Sequence, residues 1–416
     1  MQDKPITVLL CGAGSRGRTV FGQFALENPD LVKIVAICEP LQERLEATAL
    51  EHQVSEAQRF HDWRELPTDK ALAQVAIVAT DDNEHVEPSC YFLDRGYHLL
   101  LEKPMATSLA ECERLVTAAE SATGLSAVCH ILRYTDYFQK LRELVKEGLV
   151  GDIVNIRHFE PVNYWHFAHS FVRGNWKNSK TSSPFILAKC CHDMDILLFL
   201  MGRTPTAIQS FGNLFHFKAD NAPAGAALRC LDCELKESCT YSAPKFYGDM
   251  LARKAHWWPL DVVTTDFTKC GLHKALTEGP YGQCVYHSDN DVCDHQVVNL
   301  EFDNGSTASL VATAFTEYPA RETDIFGSHG MLRGDGSSIH HHDFLTGQKT
   351  SIKLESQGHH LGGDHALLQE FFQAVRSAEP QEISTSPTIS LLSHKMAFLA
   401  EKSRLEKRVI QLDSQT

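Results

Sequence analysis

Between residues 6 and 130, short apolar runs alternate with longer stretches whose apolar positions recur every three or four residues. The runs Ile6–Cys11, Lys33–Cys38, Val75–Thr80, Tyr97–Leu101 and Leu125–Cys129 show little polar alternation, as expected of strands covered on both faces. The segments between them, Arg16–Glu27, Glu39–Leu50, Asn83–Asp94 and Ser108–Ala122, have helical periodicity. This βαβ rhythm predicts an α/β fold with a doubly wound parallel sheet over residues 1–130.

After residue 130 the pattern changes. Tyr137–Gly148 and His192–Gly202 read as helices, whereas Ile153–Phe159, Gln296–Phe302, Thr307–Ala314 and Glu322–Phe326 have strand patterning, with Asp303-Asn304-Gly305 as a hairpin signal. Residues 131–416 are therefore expected to form an α+β domain with a large, mostly antiparallel open sheet. Residues 218–292 read as a polar, Cys- and aromatic-containing insertion of little periodicity and little apolar content, a length that is usually functional or pinned.

Composition narrows the classes. With 53 acidic against 39 basic side chains the net charge is −14, opposite to the basic balance of a nucleic-acid binder, so no nucleic-acid partner is expected. The Lys402–Arg408 cluster alternates with Glu401 and Glu406 and reads as a solvated helix face. The longest apolar run, Ile196–Met201, is too short to span a bilayer. The opening residues run straight into a strand, so no export leader and no membrane partner are expected, and the reading is a cytoplasmic protein. In that compartment the 13 cysteines are core thiols, metal ligands or catalytic groups rather than disulfides.

Gly12-Ala13-Gly14-Ser15-Arg16-Gly17 is a G-x-G-x-x-G at the junction of the first strand and first helix, where glycines allow a tight turn and pyrophosphate rests on the helix N-terminus. Glu39 ends the second strand, 22 residues beyond Gly17. A carboxylate there accepts hydrogen bonds from the ribose hydroxyls and repels a 2′-phosphate. The N-terminal domain is thus a Rossmann domain for NAD, with Arg16, Arg18 and Arg44 as the residues that would have to accommodate a 2′-phosphate instead.

Glu102-Lys103-Pro104 resembles the acid-lysine-proline triplet of the Gfo/Idh/MocA oxidoreductases. Ile77-Val78-Ala79-Thr80 followed by His85, Gly96-Tyr97-His98, the Leu144–Val154 junction, and His192 and Asp195 in an H-x-x-D arrangement extend the resemblance over nearly the whole chain. It implies a Rossmann domain followed by an α/β domain whose open sheet often forms an oligomer interface, so a homo-oligomer (dimer or tetramer) is expected. It also implies hydride exchange at a hydroxyl of a sugar or polyol, or, in a minority of members, glycoside cleavage through a transient keto sugar. The resemblance carries Thr80, His85, Glu102 and Lys103 to the nucleotide side. Hydride removal from a carbinol requires a base for the hydroxyl proton, a role fitting His192, and a cation for the developing oxygen charge, fitting Lys103. The family's Asp four residues before the histidine is Ala188 here. Either Asp193 takes over orientation or base duty, or Lys189 makes a substrate contact.

The segment from Asn163 to Lys177 is dense in aromatic and hydrogen-bonding side chains, the mixture expected of a sugar site. Trp165, Arg173 and Trp176, with Tyr134, Lys189 and His192, are the candidate substrate residues, and the basic members suggest an anionic sugar derivative. Cys230-x-x-Cys233-x5-Cys239 resembles part of a structural zinc site. Cys284 is the favoured fourth ligand, with Cys270 and Cys293 as alternatives. His340-His341-His342-Asp343 and His359-His360 read as exposed turns. The sequence thus points to an NAD-dependent oxidoreductase of a sugar or polyol derivative. Its rivals are an NAD-dependent glycosidase that oxidises, eliminates, adds water and re-reduces, and a non-catalytic cofactor-binding sensor.

Overall fold

The computed structural model describes residues 4–317, 320–354, 362–377 and 383–412; His359 and His360 lie outside them. Six parallel strands, β1 (Ile6–Cys11), β2 (Val32–Cys38), β3 (Arg59–Phe60), β4 (Val75–Val78), β5 (His98–Leu101) and β6 (Ser126–Val128), form a sheet of order β3-β2-β1-β4-β5-β6. Successive side chains alternate between its faces. Val8 and Leu10 enter one core cluster, Leu9 and Cys11 the other. Both faces are covered, which is why the runs carry no polar alternation.

A second sheet contains β7 (Ile153–Pro161), β8 (Pro205–Asn213), β9 (His295–Phe302), β10 (Thr307–Thr313), β11 (Glu322–Gly327), β12 (Gly330–Gly334), β13 (Ser338–Asp343), β14 (Lys349–Lys353) and β15 (Ile410–Gln411), in the order β14-β13-β12-β11-β7-β10-β9-β8-β15. The hairpin at Asp303–Gly305 joins β9 and β10 as the sequence predicts, with Gly305 at φ +82°. Along β9, buried residues alternate with more exposed ones.

The chain divides into two compact units. The first comprises residues 1–156, 191–204 and 324–399, and the second residues 157–190, 205–323 and 400–416. Within the first unit, the helix Gly363–Ser377 contributes Leu367, Phe371 and Phe372 to one face of the parallel sheet, and Leu391 and Phe398 of the helix Pro387–Glu406 pack on the other.

Two expectations need correction. The insertion is not poor in apolar content or periodicity: its helices Ala243–Ala252, Leu260–Val263 and Lys269–Glu278 close on a core of Ala243, Tyr247, Leu260, Leu272, Leu276 and Tyr281. Their i, i+4 apolar pairs are real, but Pro259 and Gly279 cut the pattern into pieces too short to stand out. The His340–His342 stretch is strand β13, paired with β12 and β14, not a turn. The two-residue strand β3 and the helix Gly363–Ser377 add to the elements the sequence predicts, and the helix face at Lys402 is the end of the longer helix Pro387–Glu406.

Candidate active site

The glycine turn is shaped by steric need. Gly12 adopts φ +92°, and a Cβ there would stand 2.5 Å from the Ala79 carbonyl oxygen. A Cβ on Gly17 would stand 1.9 Å from the Gly12 carbonyl oxygen. Neither position admits a side chain, so the turn stays open to an approaching phosphate. Gly14 precedes the helical segment Ser15–Gly22, wound as a π-helix and continued by Gln23–Glu27. The Glu39 carboxylate is buried and accepts from the Ala13 N–H (2.7 Å) and the Leu41 N–H (3.0 Å). It therefore sits against the glycine turn itself. On the far side of β1, Thr80 donates to the Glu84 carbonyl, and the buried His85 ring lies 3.1 Å (Nε2) from Thr80 O and 2.6 Å (Nδ1) from Pro104 O.

His85 thereby ties the Thr80 loop to the Glu102-Lys103-Pro104 triplet. Glu102 accepts from Arg16 Nε (2.5 Å) and from the Lys103 N–H (3.1 Å), and Arg16 Nη2 donates to Asp364 (2.6 Å). Arg16 is thus bound to two carboxylates of its own unit rather than held toward solvent. Beyond the triplet, the Met105 N–H donates to His394 Nε2 at 2.9 Å. That acceptor role leaves the His394 proton on Nδ1, which lies 2.8 Å from the Ser390 carbonyl.

His192 is almost buried, and its ring packs edge-on to His130 at 5.6 Å; His130 in turn meets His394 at 5.3 Å. Burial, reinforced by the charges of Arg133 and Lys103, pushes His130 down to about 3. Burial with His130 beside it does the same to His394. Both rings are neutral at ordinary pH. Burial pushes the Cys191 thiol up to about 12, against the opposing pull of Lys103. Lys103 therefore lies within electrostatic reach of His130, His394 and Cys191.

Asp193 is fully buried. The other acid of the motif, Asp195, pairs bidentately with Arg133 (2.6 and 2.7 Å), which also donates to the Ser384 carbonyl. Burial pushes the Asp195 carboxyl up, with Arg133 pulling it back. Tyr134 is buried in the same unit, its hydroxyl held by Ser384 (3.0 Å) and Thr385 (3.2 Å), and burial raises it to about 12. His130, His394, Arg133 and Asp364 escaped sequence reading because their partners are distant in the chain. The only local sign was His130-x-x-Arg133 directly after a strand.

The remaining predicted residues belong to the second unit. Lys189 lies 3.3 Å from Glu160, which is 1% exposed and also pairs with Arg321 (2.6 Å). Asn163, at φ +74°, caps the helix Tyr164–Phe167. Trp165 stacks on Phe246 at 5.1 Å beside Trp258, and Trp176 meets Phe171. Arg173 is buried and turned into the insertion: Nε donates to Gln283 O and Nη2 to Tyr241 O (both 2.7 Å), with Cys230 Sγ 3.5 Å away.

Cys230, Cys233, Cys239 and Cys284 all line one cavity of about 320 Å³ with Arg173. The zinc expectation is nevertheless not supported. Among the described residues no three His, Cys, Asp or Glu side chains converge as ligands of a metal ion. Cys230 and Cys233 turn their thiols toward the carbonyls of Gln283 and Gly225 instead. No helix among the described residues is long and apolar enough to cross a membrane.

Comparison with known proteins agrees with this architecture. A family model described as an oxidoreductase family NAD-binding Rossmann fold matches residues 6–130, and the C-terminal α/β domain of the same oxidoreductase family matches residues 142–408. The chain is 22% identical to the Bacillus subtilis protein YteT over 72% of each chain. It is 31% identical to the 2,7-anhydro-N-acetylneuraminate hydratase of Escherichia coli over 35% of this chain and 38% of that protein. Among solved structures, a levoglucosan dehydrogenase in complex with NADH and L-sorbose superposes with TM-score 0.73 at 15% identity, over 99% of this chain and all (100%) of that one.

Proposed function

The chain belongs to the Gfo/Idh/MocA oxidoreductase family, and on that premise we propose that it uses NAD to move hydride at a hydroxyl carbon of a sugar or polyol derivative. The side-chain-free cradle at Gly12 and Gly17 fits a dinucleotide pyrophosphate. Gly14, Ser15 and the turn amides would hold the phosphates, Glu39 the ribose hydroxyls, and Thr80, His85 and Glu102 the walls of the nicotinamide side. Bound there, the nicotinamide supplies the hydride acceptor or donor.

The chain's own groups handle the proton and the charge. Lys103 donates to the substrate oxygen as its negative charge develops, and His192 takes the hydroxyl proton. One observation carries this reading: His130 touches the His192 ring and lies in the field of Lys103, which gathers base and ammonium around one uncharged residue. A neutral His130 adds no competing cation. Asp193 serves His192 as a positioning residue, taking the place left by Ala188.

An anionic substrate fits the convergence of Lys189 and Arg321 on Glu160. Trp165 and Trp176 supply aromatic faces for a sugar ring. A cytoplasmic homo-oligomer belongs to the same reading. A panel of free sugars, polyols and sugar acids, assayed with NAD and with NADP for nucleotide reduction, tests it. No reduction of NAD by any member, and no oxidation of NADH with the corresponding carbonyl compounds, sinks it. A second reading, in which hydride is borrowed and returned during elimination or hydration, is favoured by the similarity to the anhydro-sialate hydratase. It predicts product formation from glycosides or anhydro sugars with catalytic NAD and no net NADH.

A further inference from the structure

Cys230-Leu231-Asp232-Cys233 is folded into a tight turn. The Cys233 N–H donates to the Cys230 carbonyl at 3.4 Å, the bond of a β-turn, which holds the first and fourth α-carbons less than about 7 Å apart. Two cysteines can be bridged when their α-carbons stand about 4.4–6.8 Å apart, so the turn brings this pair into range. Cys284 is placed differently. Arg229 pairs antiparallel with Gln283, the Cys230 N–H donates to Gly282 O (2.8 Å), and the Cys284 N–H donates to Leu228 O (3.0 Å). Cys230 and Cys284 are therefore diagonal neighbours, about 7–8 Å apart and beyond bridging range.

The turn is anchored while its thiols are not. Cys230 belongs to the insertion's apolar core, Leu231 packs against that core, and Lys236 Nζ donates to the Leu231 carbonyl at 3.1 Å. The Cys230 thiol reaches the Gln283 carbonyl only at 3.6 Å and the Cys233 thiol the Gly225 carbonyl at 3.9 Å, so turning them toward each other forfeits only weak contacts. Both side chains line the cavity of about 320 Å³ together with Arg173 and Lys236, a volume at the small end of small-molecule pockets. Arg173, 4% exposed, is fixed by its bonds to the Gln283 and Tyr241 carbonyls and also donates through Nη2 to Cys230 Sγ at 3.5 Å. Sulfur attacks as the thiolate, and a guanidinium alongside stabilises the charge it carries in doing so. That distinguishes Cys230 from Cys233 as the first thiol to react.

We propose that Cys230 and Cys233 form a modification site that exchanges with low-molecular-weight disulfides. Cys230 releases its proton to solvent and its sulfur attacks one sulfur of the small disulfide. A mixed S–S bond forms as the reagent's own S–S bond breaks, and the other half leaves as a thiolate that takes up a proton. The Cys233 sulfur then attacks the Cys230 sulfur, the mixed bond breaks, and the second half leaves as a thiol. The cysteine pair is oxidised by two electrons and the small disulfide is reduced to two thiols.

The test incubates the reduced full chain, with EDTA, in oxidised glutathione, quenches with N-ethylmaleimide and maps the peptides by mass spectrometry. The expected product is a disulfide joining Cys230 to Cys233, reversed by excess reduced glutathione. Cys233→Ser stops at glutathione on Cys230, whereas Cys284→Ser and Cys270→Ser react as the parent does. Arg173→Gln slows the first step about tenfold or more, the effect of losing one charge-assisted hydrogen bond, and Arg173→Lys slows it less. Should the arginine variants fold poorly, the adduct trapped in Cys233→Ser decides alone. Cys230 left free while other thiols react, a bridge from Cys230 to Cys284 or Cys239, no adduct on Cys230 in Cys233→Ser, or a parental rate in folded Arg173→Gln each overturns the proposal.

Discussion

Asp195→Ala separates structural from chemical work in the H-x-x-D segment. The carboxylate is 1% exposed and binds Arg133, itself 10% exposed, through two bonds of 2.6 and 2.7 Å. Removing it strands a buried guanidinium, a change that costs about 3–5 kcal/mol when one partner of a buried pair is deleted. Asp195→Asn keeps one carbonyl acceptor of the same shape and loses less. Arg133→Met alone leaves both the Asp195 carboxylate and the Ser384 carbonyl unmatched. The double variant Asp195→Ala with Arg133→Met removes both charges and leaves only the Ser384 carbonyl unsatisfied, at about 1–3 kcal/mol. The double variant should therefore be more stable than either single one. Urea unfolding followed by circular dichroism on all four members of the cycle gives the coupling directly, expected at about 2 kcal/mol or more. A coupling below about 0.5 kcal/mol would refute the ion-pair assignment. If Asp195→Asn abolished turnover with stability intact, Asp195 would belong to the reacting groups instead.

Gly17→Ala places a methyl group 1.9 Å from the Gly12 carbonyl oxygen and should abolish NADH binding in a fluorescence titration; normal affinity would contradict the cradle. Lys103→Met should lower kcat about 10²–10³-fold, the usual effect of deleting one donor to a developing oxyanion, while NADH titrates normally. Acid stability should follow the buried histidines. His130, His169 and His394 are each pushed down to about 3, chiefly by burial, whereas the unfolded chain titrates near about 6.5. Between these values the unfolded state binds more protons, so stability is complete above pH about 6.5 and declines as pH falls toward about 3. His169→Phe, which keeps the stack on Tyr281, should make that decline shallower by about 1.4 kcal/mol per pH unit; an unchanged slope in thermal unfolding would count against it.

The parts of the molecule that were legible in sequence are those whose physics is local. A strand buried on both faces, a glycine turn and a capped helix each leave a pattern within a few residues, so β1, β2, β4, β5, β6 and the Gly12–Gly17 turn could be read from their own segments. Lys103 and His192 stand out in the sequence because each sits in a short motif. What those motifs do was less visible. Asp195 is legible only as the acid of the H-x-x-D arrangement, and its role as the partner of Arg133, 62 residues away, is not. Arg173 looks like a substrate anchor until its bonds to Gln283 and Tyr241 are known. His394 has no motif at all, and its meaning comes only from accepting the Met105 N–H. The insertion misled for the opposite reason: its helices are short, and their apolar positions are interrupted by polar and turn residues.

The nucleotide-binding unit is written in three separate stretches of the chain. Leu367, Phe371 and Phe372 cover one face of its parallel sheet, Leu391 and Phe398 the other, and Asp364 closes the charge network around Arg16. A ribosome makes these residues last. During synthesis the first six strands must wait, with apolar faces uncovered, while some 230 residues of other structure emerge (130 to 363), and at about 5–20 residues per second that exposure lasts on the order of ten seconds or more. A nascent chain in this condition is a natural client for holding chaperones, and a gene fragment ending near residue 130 would yield an insoluble product rather than a portable NAD-binding module.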